Sequence, residues 1–112
     1  MRVISTQVSL VFLILMLFSS FSAAEDYYVD ITNKTGYTIT EVYVSPEDSA
    51  DWEEDVLGSS VLRHHKARRV NLTGYSSPSF DIRLVDEDGD TYTFWKVDVS
   101  RDDLVVTIDD ID

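Results

Sequence analysis

The chain contains no cysteine, and this absence excludes several kinds of chemistry at once. Disulfide bonds, thiolate nucleophiles and cysteine-ligated metals are all ruled out. Small exported domains commonly rely on disulfides, so a folded domain of this length must be held together by core packing alone.

Basic residues are also scarce, with nine Lys and Arg against 21 Asp and Glu, for a formal net charge of −12. Such a balance argues against binding to nucleic acid or to anionic membrane surfaces. It favours a cationic partner, a metal ion or simple solubility. High charge can also indicate disorder, but apolar and aromatic residues recur here at strand spacing, which predicts a folded domain.

Long apolar runs are missing except near the amino terminus, where residues 8–18 are apolar apart from Ser9. Arg2 precedes this run, and Ser22-Ala23-Ala24 follows it, with small residues at the two positions that a signal peptidase reads. The run is shorter than the roughly 20 residues that span a bilayer. We therefore predict a signal peptide over residues 1–24, cleaved before Glu25, with no membrane anchor after cleavage. Residues 25–112 then form one exported domain, periplasmic or extracellular.

What the chain does have is a series of short segments rich in β-branched and aromatic residues, separated by turn residues. They predict strands at 27–32, 37–44, 67–73, in the two arms of 80–99, and at 104–108. The expected fold is all-β, a small antiparallel β-sandwich of about six strands. A short helical turn is expected in the loop after strand 2, over residues 47–58, because Asp48 or Ser49 can cap it and Gly58 can end it.

The segment 80–99 is predicted to be a β-hairpin closed by the dipeptide Asp88-Gly89 in a type I′ turn. The strand register set by this turn gives the hairpin one mostly apolar face and one face with favourable charged and aromatic pairs. The predicted apolar pairs are Phe80–Val97, Ile82–Trp95 and Leu84–Thr93. The predicted outward pairs are Asp81–Lys96, Arg83–Phe94 and Val85–Tyr92.

That register turns Val85, Tyr92 and Phe94 outward as an apolar stripe. Such a stripe indicates either a partner-binding surface or burial beneath the loop that carries Trp52. The sequence leaves both interpretations open.

Carboxylates are expected to converge at one end of the sandwich. If strands alternate in direction, the amino terminus, the 47–58 loop, the 86–90 turn and the carboxyl terminus share an acidic pole. Four of its residues are candidate Ca²⁺ ligands, since Ca²⁺ takes six to eight oxygens: Asp55, Asp86, Asp88 and Asp90. The competing interpretation is a solvated acidic surface in which the turn serves only the hairpin. An EF-hand is excluded, because aligning Gly89 to its loop glycine puts non-acidic residues at both end positions.

No catalytic arrangement stands out, and we predict that the protein is not an enzyme. There is no Gly-x-Ser-x-Gly elbow, and nothing in the sequence indicates a buried carboxylate or a deep pocket. His64 and His65 are adjacent in a basic segment, so they are expected to lie in a solvated turn rather than to share a metal ion.

Several short motifs in a fixed order give the sequence a family resemblance. They are Asn33-x-Thr35-Gly36-x-Thr38-Ile39, Val42-Tyr43-Val44-Ser45, Trp52-x-x-Asp55-Val56-Leu57-Gly58 with Leu62, and Phe80-Asp81-x-Arg83 followed by Asp88-Gly89. On these residues the chain resembles small exported bacterial proteins of uncharacterised function. The resemblance implies a compact β domain and brings no assigned activity or site residues.

The chain departs from that pattern at four positions. Such proteins often carry cysteines where Pro78 and Ser100 stand here, and glycines where Glu53 and His65 stand. A disulfide between the two turns is therefore excluded in this protein.

The sequence thus predicts an exported, non-enzymatic binding domain with an acidic pole for a cationic protein or surface, and no binding to nucleic acid. The alternative is a Ca²⁺-dependent module that uses the 86–90 turn and the 47–55 loop. No other cofactor is expected.

Overall fold

The computed structural model describes residues 24–112, and residues 1–23 of the predicted signal peptide lie outside this range. Among the residues it describes, no helix has the length and hydropathy needed to cross a lipid bilayer.

Residues 24–112 form six strands arranged in two three-stranded sheets, which confirms the all-β sandwich. The strands are β1 (Glu25–Lys34), β2 (Ile39–Pro46), β3 (Ala67–Tyr75), β4 (Ser79–Asp86), β5 (Thr91–Asp98) and β6 (Leu104–Thr107). The first sheet has the order β3-β1-β6 and the second has the order β2-β4-β5.

The core lies between the sheets and is built from the alternate residues of each strand, as the period of two along a strand requires. Phe80 and Tyr92 are its largest completely buried side chains. The other fully buried members are Val29, Ile31, Ile39, Ile82, Leu84 and Val106.

The connection from β1 to β2 is not a hairpin, because the two strands belong to different sheets. The buried side chain of Asn33 holds this corner by donating through Nδ2 to the carbonyls of Tyr37, at 2.7 Å, and Leu62, at 2.9 Å. Among the strands of residues 24–112, β6 pairs with β1 in parallel, and the other strand pairs are antiparallel, as predicted.

The helical turn predicted in the loop after β2 is absent: turns form at residues 47–48 and 56–59, and residues 49–55 between them have no regular secondary structure. The backbone of this loop bonds sideways to β2: Val56 N–H donates to the Val42 carbonyl and Glu53 N–H donates to Ser45 Oγ. These bonds occupy donors that a helix would use along its own axis. The one helical element within 24–112 is a 3-10 helix at Ile108–Asp110.

The hairpin of β4 and β5 forms as predicted, but its turn is one residue longer than expected. Asp86 N–H donates to the Asp90 carbonyl and Gly89 N–H donates to the Asp86 carbonyl, both at 2.9 Å. Gly89 has φ +83°, the left-handed conformation that glycine adopts without strain. The loop is therefore residues 87–89, which shifts β5 by one position relative to a two-residue turn.

A β-bulge then restores the predicted register at the far end of the hairpin. Phe80 faces Val97 as predicted, whereas Ile82 faces Phe94 and Leu84 faces Tyr92. The irregularity lies where Lys96, at φ +54°, donates its N–H to Asp81 Oδ1 at 2.9 Å. The five remaining predicted pairs are consequently wrong as strict cross-strand partners.

Candidate functional site

Three of the four predicted Ca²⁺ ligands come together in the turn between β4 and β5. Carboxylate oxygens of Asp86, Asp88 and Asp90 all lie within 4.8 Å of one another. Asp88 and Asp90 are exposed, whereas Asp86 is only 2% exposed.

The Asp86 carboxylate is already bound by donors from the protein. Its Oδ1 accepts the backbone N–H groups of Asp88 and Asp90 at 3.0 Å each, and its Oδ2 accepts the Tyr92 hydroxyl at 2.8 Å. Burial and the neighbouring Asp86 carboxylate together raise the pKa of Tyr92 to about 12. Asp86 therefore fixes the turn and accepts a hydrogen bond from a buried tyrosine, two contacts that the sequence did not predict.

The fourth predicted ligand, Asp55, does not belong to this group of carboxylates. Its Oδ1 accepts the N–H of Val42 at 2.8 Å and the N–H of Leu57 at 3.0 Å. Val42 lies in β2, which is an edge strand of its sheet, so Asp55 covers part of an otherwise open edge.

The prediction of a single acidic pole is wrong, because the structure divides these carboxylates between the two ends of the sandwich. Ile39 at the start of β2 pairs with Asp86, whereas Pro46 at its end pairs with Phe80. Glu47 therefore begins its loop at the end opposite the 86–90 turn. The 86–90 turn and the 47–55 loop, which were predicted to share a Ca²⁺ site, are therefore not brought together.

The cause of this error is the path of residues 47–66. They run back along the edge of β2 until Leu62 pairs with Ile39 at its start, and so make one additional crossing of the sandwich. Every later strand is then reversed relative to the simple alternation that the prediction assumed.

We call the end that carries the 86–90 turn the turn end. It also holds the carboxyl terminus, since Ile111 pairs with Tyr92, and the basic segment 63–66, since His65 N–H donates to the Asn33 carbonyl. The positive charges of segment 63–66 offset the negative charges of the acidic residues at the turn end. His64 and His65 lie in an exposed turn, as predicted, and His64 Nδ1 accepts the Gly36 N–H at 3.0 Å.

The opposite end carries a concave surface, which we call the acidic cleft. Its volume is about 390 Å³, and its lining includes Glu25, Asp26, Asp102 and Asp103, with Arg101 as its basic side chain. Burial and the nearby Glu25 carboxylate raise the pKa of Tyr27 in the same cleft. The β1 strand and the loop before β6 thus gather carboxylates that are far apart in sequence.

The predicted outward stripe of Val85, Tyr92 and Phe94 does not exist. The longer turn rotates β5, so Tyr92 is completely buried and Phe94 packs against the core, while Val85 faces outward. Neither of the two interpretations of the stripe applies, because its members lie on different faces of the sheet.

The same rotation exposes Trp95, which the sequence placed in the core and which is 64% exposed. Its ring lies 5.8 Å from that of Trp52, measured between centroids, and the two border a shallow cleft with Asp51 and Asp81. Sequence reasoning missed this cleft because it predicted a two-residue turn, whereas the longer turn places Trp95 on the outer face until the bulge at Lys96 restores the register. Lysine carries no preference for a left-handed backbone that would have signalled a bulge.

The chain matches no protein-family model, no curated protein and no solved structure.

Proposed function

We propose that the protein is an exported, non-enzymatic binding domain whose acidic surface engages a cationic partner, either a protein or another polycationic surface. The observation that carries the proposal is the large excess of carboxylates that lack a basic neighbour. The chain has 21 acidic residues, and within residues 24–112 two ion pairs are present, Arg69–Asp30 and Arg101–Asp98. Most of the negative charge is therefore available to an incoming cation.

The acidic cleft is the part of this surface that supports the proposal best. A concave surface lined by charges of one sign focuses the electrostatic field, which raises both the local concentration and the association rate of an oppositely charged partner. Glu25, Asp26 and Asp102 are exposed in the cleft and approach one another from two separate segments. The turn end is less suitable because it includes the basic segment 63–66.

The location is part of the proposal and depends on the predicted signal peptide of residues 1–24. Export would place the domain among extracytoplasmic or extracellular partners. The charge again disfavours nucleic acid, since a protein must neutralise phosphates with Lys and Arg in order to bind it.

The test uses decalysine as a cationic probe and calorimetry at low and high salt. We expect binding at about 20 mM salt that weakens at least tenfold near 500 mM, because screening shortens the range of the attraction. Decaglutamate is the matched negative probe. Absence of decalysine binding at low salt would overturn the proposal.

Two variants with equal loss of charge locate the binding surface. Removing three carboxylates from the cleft, with Glu25→Gln, Asp26→Asn and Asp102→Asn, should weaken decalysine binding strongly. Removing three exposed carboxylates from the turn end, with Asp88→Asn, Asp90→Asn and Asp109→Asn, should weaken it less. Equal losses would mean that net charge alone governs binding and that the cleft has no special part.

A Ca²⁺-dependent function remains the second candidate, supported by the convergence of Asp86, Asp88 and Asp90. Its test is the thermal midpoint with millimolar Ca²⁺, with Mg²⁺ and with excess chelator. A rise in the thermal midpoint that is specific to Ca²⁺ and that Asp88→Asn abolishes would support the Ca²⁺-dependent function, since a ligand stabilises the state that it binds. An equal rise with Mg²⁺ or with plain salt would reflect screening of self-repulsion and would contradict it.

A further inference from the structure

We propose that Trp52 and Trp95, together with Asp51 and Asp81, bind the ammonium group of a lysine side chain on the cationic partner. This inference rests on the proposed function and assigns it a second, chemically specific contact. The contact lies on the outer face of the β2-β4-β5 sheet.

The two indole rings pack beside each other at the border of a small cleft. Their planes are tilted by 36° at a centroid separation of 5.8 Å, and the cleft that they border has a volume of about 100 Å³. Trp95 is 64% exposed, so most of its ring is open to a ligand. A cation over an indole face is attracted by the negative face of the ring quadrupole, and tryptophan is the strongest of the aromatic residues in this role.

The fold holds Trp95 outward, so its exposure is a built feature of the sheet. Lys96 adopts a left-handed backbone conformation beside it, and its N–H is bound by Asp81 Oδ1 at 2.9 Å. That bond fixes the bulge directly after Trp95, where the shifted register set by the longer turn ends. It also positions the Asp81 carboxylate at the wall of the cleft.

The charges around the cleft are complementary to an ammonium group. The loop 47–55 that carries Trp52 has no basic residue and has six acidic ones: Glu47, Asp48, Asp51, Glu53, Glu54 and Asp55. The nearby basic side chains on the sheet are Arg83 and Lys96. Negative charge therefore exceeds positive charge on this part of the surface.

Arg83 shows that one of these rings already attracts a cation. Its guanidinium carbon lies 4.9 Å from the centroid of the Trp52 ring, and its Nε donates to Thr93 Oγ1 at 3.2 Å. Because Arg83 is held in this way, it supports Trp52 as a wall of the cleft. Trp95 is then the ring that receives the ligand.

The cleft lies toward the same end of the sandwich as the acidic cleft. Asp81 is near the start of β4 and Trp95 is near the end of β5, which pairs with that start at Ser79 and Asp98. A lysine-rich partner bound at this end therefore has both the carboxylates of the acidic cleft and the tryptophan pair on the same side of the sandwich.

The protein offers a direct readout, because Trp52 and Trp95 are its only tryptophans. Tryptophan fluorescence therefore reports on this cleft alone. We expect decalysine to change the emission of the wild type with the same dissociation constant that calorimetry measures. Trp95→Ala should weaken decalysine binding about fivefold, the size of an exposed cation–π contact. Asp51→Asn should weaken it about two- to fivefold.

Two matched controls separate the contact from general effects. Tyr37→Ala removes an aromatic ring that is 40% exposed at the turn end, and Asp109→Asn removes one exposed carboxylate there. Both should bind decalysine almost as the wild type does. Trp95→Phe keeps an aromatic face and should recover part of the affinity, which a purely structural role of Trp95 would not predict.

The possible results distinguish this inference from the function on which it rests. Decalysine binding without a change in tryptophan emission, and with full affinity in Trp95→Ala, would overturn the lysine contact and leave the acidic surface standing. No decalysine binding at low salt would overturn both. A change in emission with a neutral oligosaccharide but not with decalysine would also overturn the lysine contact, because the same rings would then be binding a polysaccharide.

Discussion

Replacing Tyr92 with Phe removes one hydroxyl from the core and tests how the buried Asp86 carboxylate is satisfied. The hydroxyl donates to Asp86 Oδ2 at 2.8 Å, the tyrosine is completely buried, and Asp86 is 2% exposed. A hydrogen bond to a charged group contributes roughly 1.5–3 kcal/mol. We therefore expect Tyr92→Phe to lower the free energy of unfolding by about 2 kcal/mol near pH 8.

The difference in free energy of unfolding between the wild type and Tyr92→Phe should shrink at alkaline pH. The pKa of Tyr92 is raised to about 12 in the folded protein, against 10.0 for the unperturbed group. The folded state thus favours the neutral hydroxyl, so its contribution is complete below pH 10 and is lost as the pH rises toward 12. At pH 11 the wild type should have lost about 1.4 kcal/mol from this group, which reduces the difference from Tyr92→Phe to about 0.6 kcal/mol.

The assay is urea unfolding of both proteins, followed by circular dichroism at pH 8, 9, 10 and 11. Tyr37→Phe is the control, since Tyr37 is 40% exposed and its hydroxyl makes no hydrogen bond to residues 24–112. A difference between wild type and Tyr92→Phe that stays constant from pH 8 to pH 11 would refute the reasoning. So would an equal alkaline effect for Tyr37→Phe.

Two further predictions concern residues that shape the sheet of β2, β4 and β5. Asp55→Ala should lower the free energy of unfolding, measured by urea unfolding, by about 2 kcal/mol, because the N–H groups of Val42 and Leu57 lose their acceptor. Asp55→Asn should lower it less, because it keeps an oxygen at that position. Gly89→Ala should lower the free energy of unfolding by roughly 1 kcal/mol, because φ at this position is +83°. Gly89→Asn should lower it less, since asparagine tolerates that conformation, and equal stability of the two variants would contradict this prediction.

The strand pattern was predictable from the sequence because local composition and the period of two set it. All six strands lie where alternating β-branched and aromatic residues placed them, and the Asp-Gly turn closes the hairpin of β4 and β5. The candidate site was predictable only where its residues are close in sequence, as for Asp86, Asp88 and Asp90. Asp55 could not be assigned correctly, since its partners at Val42 and Leu57 depend on how its loop returns along β2.

Charge, composition and alternation are local properties of the chain, so they were enough to predict an acidic, cysteine-free, all-β domain. The ends and faces that its side chains occupy depend instead on contacts between distant segments. One additional crossing by residues 47–66 divides the acidic residues between two ends. One extra residue in the turn at 87–89 buries Tyr92 and exposes Trp95, before the bulge at Lys96 restores the predicted register. A shift of one residue in a strand reverses the face of every side chain beyond it, so small irregularities without a sequence signature decide which side chains reach the surface.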